Sequence, residues 1–333
     1  MNPSEVLFQG KRQPQLLPAC DHYAGSEKLM LKSMALQQEL GPLFDITFDC
    51  EDGAATGGEP EHAQLVVRLL NDATLRSGRI GVRVHDIGSD FFEGDVAVIV
   101  GGAAVNIAYI VLPKPDSVED VTRAIELINK HAAKAGRSAP LPVHVLIETH
   151  GALRDAYSIA ALPQVECLSF GIMDFVSAHY GAIPGSAMRT PGQFTHPLVV
   201  RAKLDIAAAC HAHGKVPSHN VTTEIRDSAV VANDAQRAGA EFGYTRMWSI
   251  HPDQIKPIIK AFTPRLSEVN EATNILADAI KANWGPTSQN GRLHDRASYR
   301  YYWTVLQRAK LAGLALPDAA IAIVNYDTLT EPT

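Results

Sequence analysis

Val143-His144-Val145-Leu146-Ile147-Glu148-Thr149-His150-Gly151 is the stretch on which the fold of this chain turns. A short apolar run ends on a carboxylate, and a glycine turn follows at once. The pattern returns downstream as Cys167-Leu168-Ser169-Phe170-Gly171-Ile172-Met173-Asp174. A strand buried on both faces spends its side chains on packing, so packing alone does not explain a carboxylate at its end. Two such strands ending in Glu148 and Asp174 present a pair of acids on one rim.

Outward from that pair, apolar strands alternate with amphipathic helices. Strands are expected at residues 15–20, 44–50, 80–84 and 107–112, then at the two runs ending in Glu148 and Asp174, then at 216–221 and 245–250. Helices are expected at 26–40, 59–71, 91–100, 117–135, 152–161, 197–213, 223–238 and 253–261. Ser117, with Glu119 and Asp120 behind it, reads as a helix N-terminus, and Gly214 as a helix stop. Eight β-α units point to an α/β fold, a TIM (β/α)8 barrel over residues 1–264. A doubly wound open sheet competes, but no G-x-G-x-x-G turn follows the first strand. In a barrel all strand ends converge on one face, and Glu51, Arg83, Lys114, Glu148, Asp174 and His251 all fall at such ends.

Residues 265–333 form a C-terminal helical extension. A helix is expected over 265–283. Trp284-Gly285-Pro286 breaks it, and a polar turn, Gln289-Asn290-Gly291-Arg292-Leu293-His294-Asp295, leads to a second helix over 297–312. Closing a barrel does not require this piece. A lid or an arm onto a neighbouring subunit, and plain C-terminal packing, are both open.

The 333 residues can bury a sizeable core, and 46% hydrophobic with 20% charged residues is ordinary for a globular protein. A net charge of −6 supplies no basic field for nucleic acid. Cys20, Cys50, Cys167 and Cys210 lie far apart with no C-x-x-C, as expected of reduced thiols in a cytoplasmic protein. The N-terminus lacks the basic start and apolar run of a secretory signal. Residues 96–112 carry no formal charge, but Gly101-Gly102, Asn106 and Pro113 interrupt them, so no membrane span is expected.

Two carboxylates without a His and Cys cluster suit Mg²⁺, which takes one or two protein oxygens and keeps several waters. A pair of structural acids beside basic neighbours fits the spacing equally well. Arg83 on the same rim can clamp a substrate carboxylate, or pair with Glu51 or Asp52. Asp49, Glu51 and Asp52 cannot all be buried and ionised without partners. At least one is expected behind the metal ligands or against an arginine. His251 before Pro252 reads as a packed rim histidine.

Asp49-Cys50-Glu51-Asp52-Gly53-Ala54 resembles the D-L-E-D-A segment of the HpcH/HpaI aldolase and citrate lyase β-subunit (CitE-like) superfamily. Arg83-Val84 is similar to its arginine strand, and Leu112-Pro113-Lys114 with Asp116-Ser117 to its L-P-K-x-x-S segment. Ile147-Glu148-Thr149 with Gly151 resembles I-E-T-x-x-G, and Phe170-Gly171 with Asp174 resembles F-G-x-x-D. Arg201 and Ile250-His251-Pro252 complete the order. Each motif is short; their order and spacing carry the likeness.

The resemblance implies a Mg²⁺-dependent carbon–carbon lyase or aldolase acting on a β-hydroxyacyl-CoA such as citryl-, malyl- or citramalyl-CoA, by way of a thioester enolate. It implies that Glu148 and Asp174 bind Mg²⁺ and that Arg83 and Glu148 contact substrate; Glu51 and Asp52, from the crowding of acids, are the residues expected behind the metal ligands. In malyl-CoA-lyase-like members the C-terminal arm ends in an aspartate that enters the adjacent subunit's site. The matching residue is Asp295, the implied acid/base acting in trans. The implied partners are an acyl-CoA and a 2-keto acid, in a homotrimer or homohexamer. A CoA-independent class II pyruvate aldolase for 2-keto-4-hydroxy acids, an acyl-CoA thioesterase and a non-catalytic assembly subunit are the competing readings.

Overall fold

The alternation resolves into eight parallel strands: β1 (Cys20–Ala24), β2 (Asp45–Asp49), β3 (Ile80–Arg83), β4 (Ile110–Leu112), β5 (Val143–Ile147), β6 (Val165–Phe170), β7 (Val216–His219) and β8 (Arg246–Ser249). Each pairs with the next and β8 pairs with β1, closing a TIM barrel. The structure is a computed structural model and describes residues 3–11 and 13–325. No described helix is long and apolar enough to cross a membrane, and the four cysteines are free and buried.

The helices form because each offers the barrel an apolar stripe. Val118–Lys134 begins at Ser117, whose side chain accepts from the Asp120 N–H. Val121, Ala124, Ile128 and Ala132 are buried at helical spacing, with His131 and Lys134 in the last turn.

Two barrel elements are displaced most from expectation. The first strand runs from Cys20, not over 15–20. The earlier stretch is richer in apolar residues, but the true strand carries Asp21, His22 and Tyr23, all buried. The helix expected over 223–238 starts at Ser228, where Asp227 caps it by accepting from the Ala229 N–H, and runs to Phe242.

The charge in β1 belongs to the barrel's lower end. Arg246, the first residue of β8, is fully buried, 3.0 Å from Asp21 Oδ2 and 2.9 Å from Asp45 Oδ2, and donates to the Pro18 carbonyl at 2.7 Å. Asp21 also accepts from Thr47 and Tyr109, and His144 stacks on the Tyr109 ring. A buried guanidinium between two carboxylates closes the barrel floor in place of apolar layers.

The chain separates into two compact units, Pro18–Phe262 and a second made of Met1–Leu17 with Thr263–Thr333. The segment ahead of β1, grouped with the barrel on sequence, therefore clusters with the C-terminal helices. In the second unit the helices Leu266–Lys281, Arg296–Leu311 and Asp318–Asn325 bury Leu276, Tyr299, Trp303 and Leu306 in a core of their own. The polar turn contains an unforeseen hairpin, Thr287–Gln289 against Arg292–His294. Asn290 and Gly291 both take positive φ, as a two-residue hairpin turn requires. Tyr299 secures it, its hydroxyl lying within hydrogen-bond reach of Thr287 Oγ1 and of the Gly285 and His294 carbonyls.

Removing Arg246 takes the nearest cation from two buried carboxylates, leaving Asp45 with Arg79 Nε at 3.5 Å and Asp21 with the Thr47 and Tyr109 hydroxyls. Arg246→Met is expected to lower stability to urea by about 3–5 kcal/mol. A loss under about 1 kcal/mol would show that Asp21 and Asp45 do not depend on it.

Candidate active site

The C-terminal strand ends gather acids around two cations. Asp49, the last residue of β2, is the register partner of Arg83, the last residue of β3. That register lets Arg83 grip Asp49 with two hydrogen bonds, Nε to Oδ1 at 2.7 Å and Nη2 to Oδ2 at 2.5 Å. Arg83 Nη1 lies 2.9 Å from Glu51 Oε2, and the guanidinium stacks 5.3 Å above the Tyr23 ring. Burial works against the charge, but Asp49 and then Glu51 hold Arg83 above the usual arginine range. Gly53 also donates its N–H to Asp49 Oδ2, and a Cβ at Gly53 would collide with that oxygen.

Lys114 is the second cation. Its backbone has a φ of 50°, a left-handed conformation that costs a non-glycine residue energy. Its N–H donates to Glu148 Oε1 at 2.9 Å. Its ammonium donates to Glu51 Oε1 and to Asp52 Oδ2, the latter at 2.8 Å, and lies 3.8 Å from Asp174 Oδ1. Burial opposes its charge, yet the bonds to Asp52 and Glu51 raise its pKa well above the usual lysine value.

Glu148 follows β5 and is 2% exposed, with the Lys114 N–H as its described hydrogen bond. Burial, and next the Asp174 charge, push its carboxyl up to about 8. Gly171 makes room for it, since a Cβ there would strike Glu148 Oε2. Asp174 was expected to end the strand, but β6 stops at Phe170 and Asp174 sits four residues on, in the first turn of the helix Ile172–Ser177, with its side chain 42% exposed. A helix N-terminus favours an acid there.

Glu148 and Asp174 are thus near enough to repel, and neither is fully neutralised by protein. Two hard oxygen donors with surplus negative charge fit a small divalent cation such as Mg²⁺. Among the described residues no group of three or more His, Cys, Asp and Glu could hold a metal, so the pair offers the sparse ligand set that Mg²⁺ tolerates.

The geometry brings Arg83, Glu51, Asp52, Glu148 and Asp174 together. Asp295 belongs to the other unit, where it caps the helix Arg296–Leu311, Oδ1 accepting from the Ala297 and Ser298 N–H groups. Asp49 and Lys114 were not singled out as site residues. The signals for them were the crowding of acids at 49–52 and the Pro113-Lys114-Pro115 stop.

The sequence pattern of the HpcH/HpaI aldolase/citrate lyase family matches residues 24–252. The chain belongs to that family. It is similar over 97% of its length to a citrate lyase from Burkholderia xenovorans LB400, of which 99% is covered, with 59% identity and a TM-score of 0.86. The L-malyl-CoA/beta-methylmalyl-CoA lyase of Rhodobacter capsulatus is 27% identical over 279 residues, covering 80% of this chain and 87% of that one. The CitE protein of Mycobacterium tuberculosis, solved with magnesium, acetoacetate and coenzyme A, shares the fold at a TM-score of 0.66 and 23% identity, covering 90% of this chain and 98% of that one. As a member of this family the chain is a carbon–carbon lyase.

The raised Glu148 carboxyl fixes the sign of a stability test. A carboxyl whose folded pKa lies above its unfolded value supports folding fully below the unfolded value and loses that support as pH rises toward the folded one. The window here is about 4.5 to about 8. In chelator-treated protein, Glu148→Gln is expected to gain stability over the parent as pH climbs through that window, and to match it at low pH. Parallel urea curves at every pH would refute the burial argument.

Proposed function

We propose that this family member makes and breaks the carbon–carbon bond of a β-hydroxyacyl-CoA thioester, using Mg²⁺ and a thioester enolate. The observation that carries the reading is the juxtaposition of Glu148, Asp174 and Arg83 on one rim. Relatives named malyl-CoA/beta-methylmalyl-CoA/citramalyl-CoA lyase and L-malyl-CoA/beta-methylmalyl-CoA lyase support the thioester chemistry. The magnesium and coenzyme A in the CitE structure support the choice of cation and carrier.

Glu148 and Asp174 would hold Mg²⁺, which supplies Lewis-acid polarisation of the oxygen that is hydroxyl before cleavage and carbonyl after it. Arg83 binds the substrate carboxylate. A guanidinium has five N–H donors, and those not engaged by Asp49 and Glu51 remain for substrate. Asp49 fixes the plane of the fork, so the carboxylate meets a pre-oriented partner. Lys114 steadies Glu51 and Asp52 and aims its N–H at Glu148.

In the condensation direction a base removes the proton α to the thioester, the enolate carbon attacks the keto carbon, and the alkoxide formed takes up a proton from solvent. In cleavage the hydroxyl proton passes to solvent, the C–C bond breaks to leave the keto acid and the thioester enolate, and the enolate carbon is reprotonated by the same group that serves as base in condensation. Asp295 is assigned that proton transfer, from a neighbouring subunit of an oligomer. Its Oδ1 is engaged in capping, which leaves Oδ2 to carry the proton.

Two tests follow from these assignments. Calorimetric Mg²⁺ binding to the Glu148→Gln, Asp174→Asn double variant is expected to fall at least about 100-fold; unchanged affinity would remove the pair as ligands. Asp295→Asn is expected to lower kcat at least about 100-fold with little change in KM. Mixed oligomers of Asp295→Asn and Glu148→Gln subunits are expected to regain activity, since some sites then combine intact halves. No regain would place the base within its own subunit or elsewhere.

A further inference from the structure

Lys114 meets the two candidate metal ligands with two different parts of itself. Pro113 and Pro115 flank it, and its own φ is 50°. Its N–H donates to Glu148 Oε1 at 2.9 Å, and Thr149, the residue after Glu148, donates its hydroxyl to the Pro115 carbonyl at 2.6 Å. Gly151 lets the two loops meet, since a Cβ there would strike the Asp116 carbonyl. The turn after β4 is thereby stapled to the start of the helix His150–Arg154, and the Lys114 backbone is fixed beside Glu148.

From that anchor the side chain crosses the rim. The ammonium donates hydrogen bonds to Glu51 Oε1 and to Asp52 Oδ2, the latter at 2.8 Å. It lies 3.8 Å from Asp174 Oδ1, an ion pair too long for a hydrogen bond. Among the described residues this ammonium is the one ion-pair partner of Asp174. Arg83, the other cation of the rim, is committed to Asp49 and Glu51. Glu51 joins the two cations: its Oε1 faces Lys114, and its Oε2 lies 2.9 Å from Arg83 Nη1 and accepts the Asp52 N–H at 2.8 Å. The Glu51 side chain is 6% exposed, so the cluster is little screened by solvent.

From these distances we propose that Lys114 sets how tightly the site holds its divalent cation, by competing with that cation for Asp174. This role presupposes the Mg²⁺ site read above from Glu148 and Asp174, and adds a residue that weakens it. A positive charge held this close to a ligand oxygen offsets part of the negative charge that attracts a metal ion, and repels the ion directly. The contacts also differ in kind. Hydrogen bonds to Glu51 and Asp52 keep the ammonium in place, and the longer contact to Asp174 is the one it can give up. Because the backbone is stapled separately, the N–H keeps its aim at Glu148 whichever way the ammonium leans. Lys114 is thus a positioning residue for one ligand and a competitor for the other.

The test is calorimetric Mg²⁺ binding to the full chain. Lys114→Met removes the ammonium but keeps the apolar stem and the backbone N–H. It is expected to bind Mg²⁺ at least about 10-fold more tightly than the wild type, whereas Lys114→Arg, which keeps the charge, stays within about 3-fold of it. A residue that merely props the site predicts the opposite sign, because losing a prop weakens metal binding. Lys114→Gln carries the same expected sign and serves if the Met variant does not fold. If neither folds, the wild type decides: the Lys114 ε-carbon resonance, assigned by its loss in Lys114→Arg, is expected to shift as Mg²⁺ is added, and a resonance that stays in place overturns the proposal. Unchanged or weaker Mg²⁺ binding in the uncharged variants overturns it too, and leaves the lyase reading standing. No Mg²⁺ binding by the wild type overturns both.

Discussion

Like charges crowded into a poorly solvated space must be partnered, and that constraint governs the upper end of this barrel. Asp49, Glu51 and Asp52 arrive together on one short stretch, and β5 and the helix after β6 bring Glu148 and Asp174. Arg83 and Lys114 neutralise the first group almost completely, through a two-pronged grip and a shared ammonium. They leave the second pair short. The shortage shows in Glu148, whose carboxyl is pushed up to about 8 by burial and by Asp174. What the protein declines to neutralise is the feature on which the proposed cation site rests.

The same division of labour explains the local backbone. Lys114 adopts a left-handed conformation, and this turn offers its N–H to Glu148 while its side chain reaches Glu51 and Asp52. Gly171 and Gly53 omit the Cβ atoms that would displace Glu148 and Asp49. Strain and small residues collect where the acids meet, and ordinary apolar packing resumes between strands and helices.

Much of the fold was legible because a strand buried on both faces and a helix with one apolar stripe differ in period, and glycine and proline mark the stops. β1 was misplaced because its inward face carries Asp21 and Tyr23 and its outward face His22. Polar residues inside a barrel invert the cue that finds strands. Of the site, Arg83, Glu148 and Asp174 were visible as charged residues at strand ends. The ion pair of Arg83 with Glu51 was expected and is present, but its two-pronged partner was not: Asp49 is chosen by the β2–β3 register, and register follows from tertiary closure, not from local sequence. The Asn290-Gly291 hairpin carried its own signal in the paired residues that tolerate positive φ, but the short flanking strands lack the alternation that would have confirmed it.

The barrel's lower end gives the reaction a direction of traffic. Arg246, wedged between Asp21 and Asp45 and tied to the Pro18 carbonyl, plugs the base with fully buried polar side chains. Whatever enters from the top must leave by the same doorway. Under the proposed reaction, the fragment seated deepest would then be the first to arrive in synthesis and the last to depart in cleavage, and a closed base would impose a queue on the two halves of the substrate.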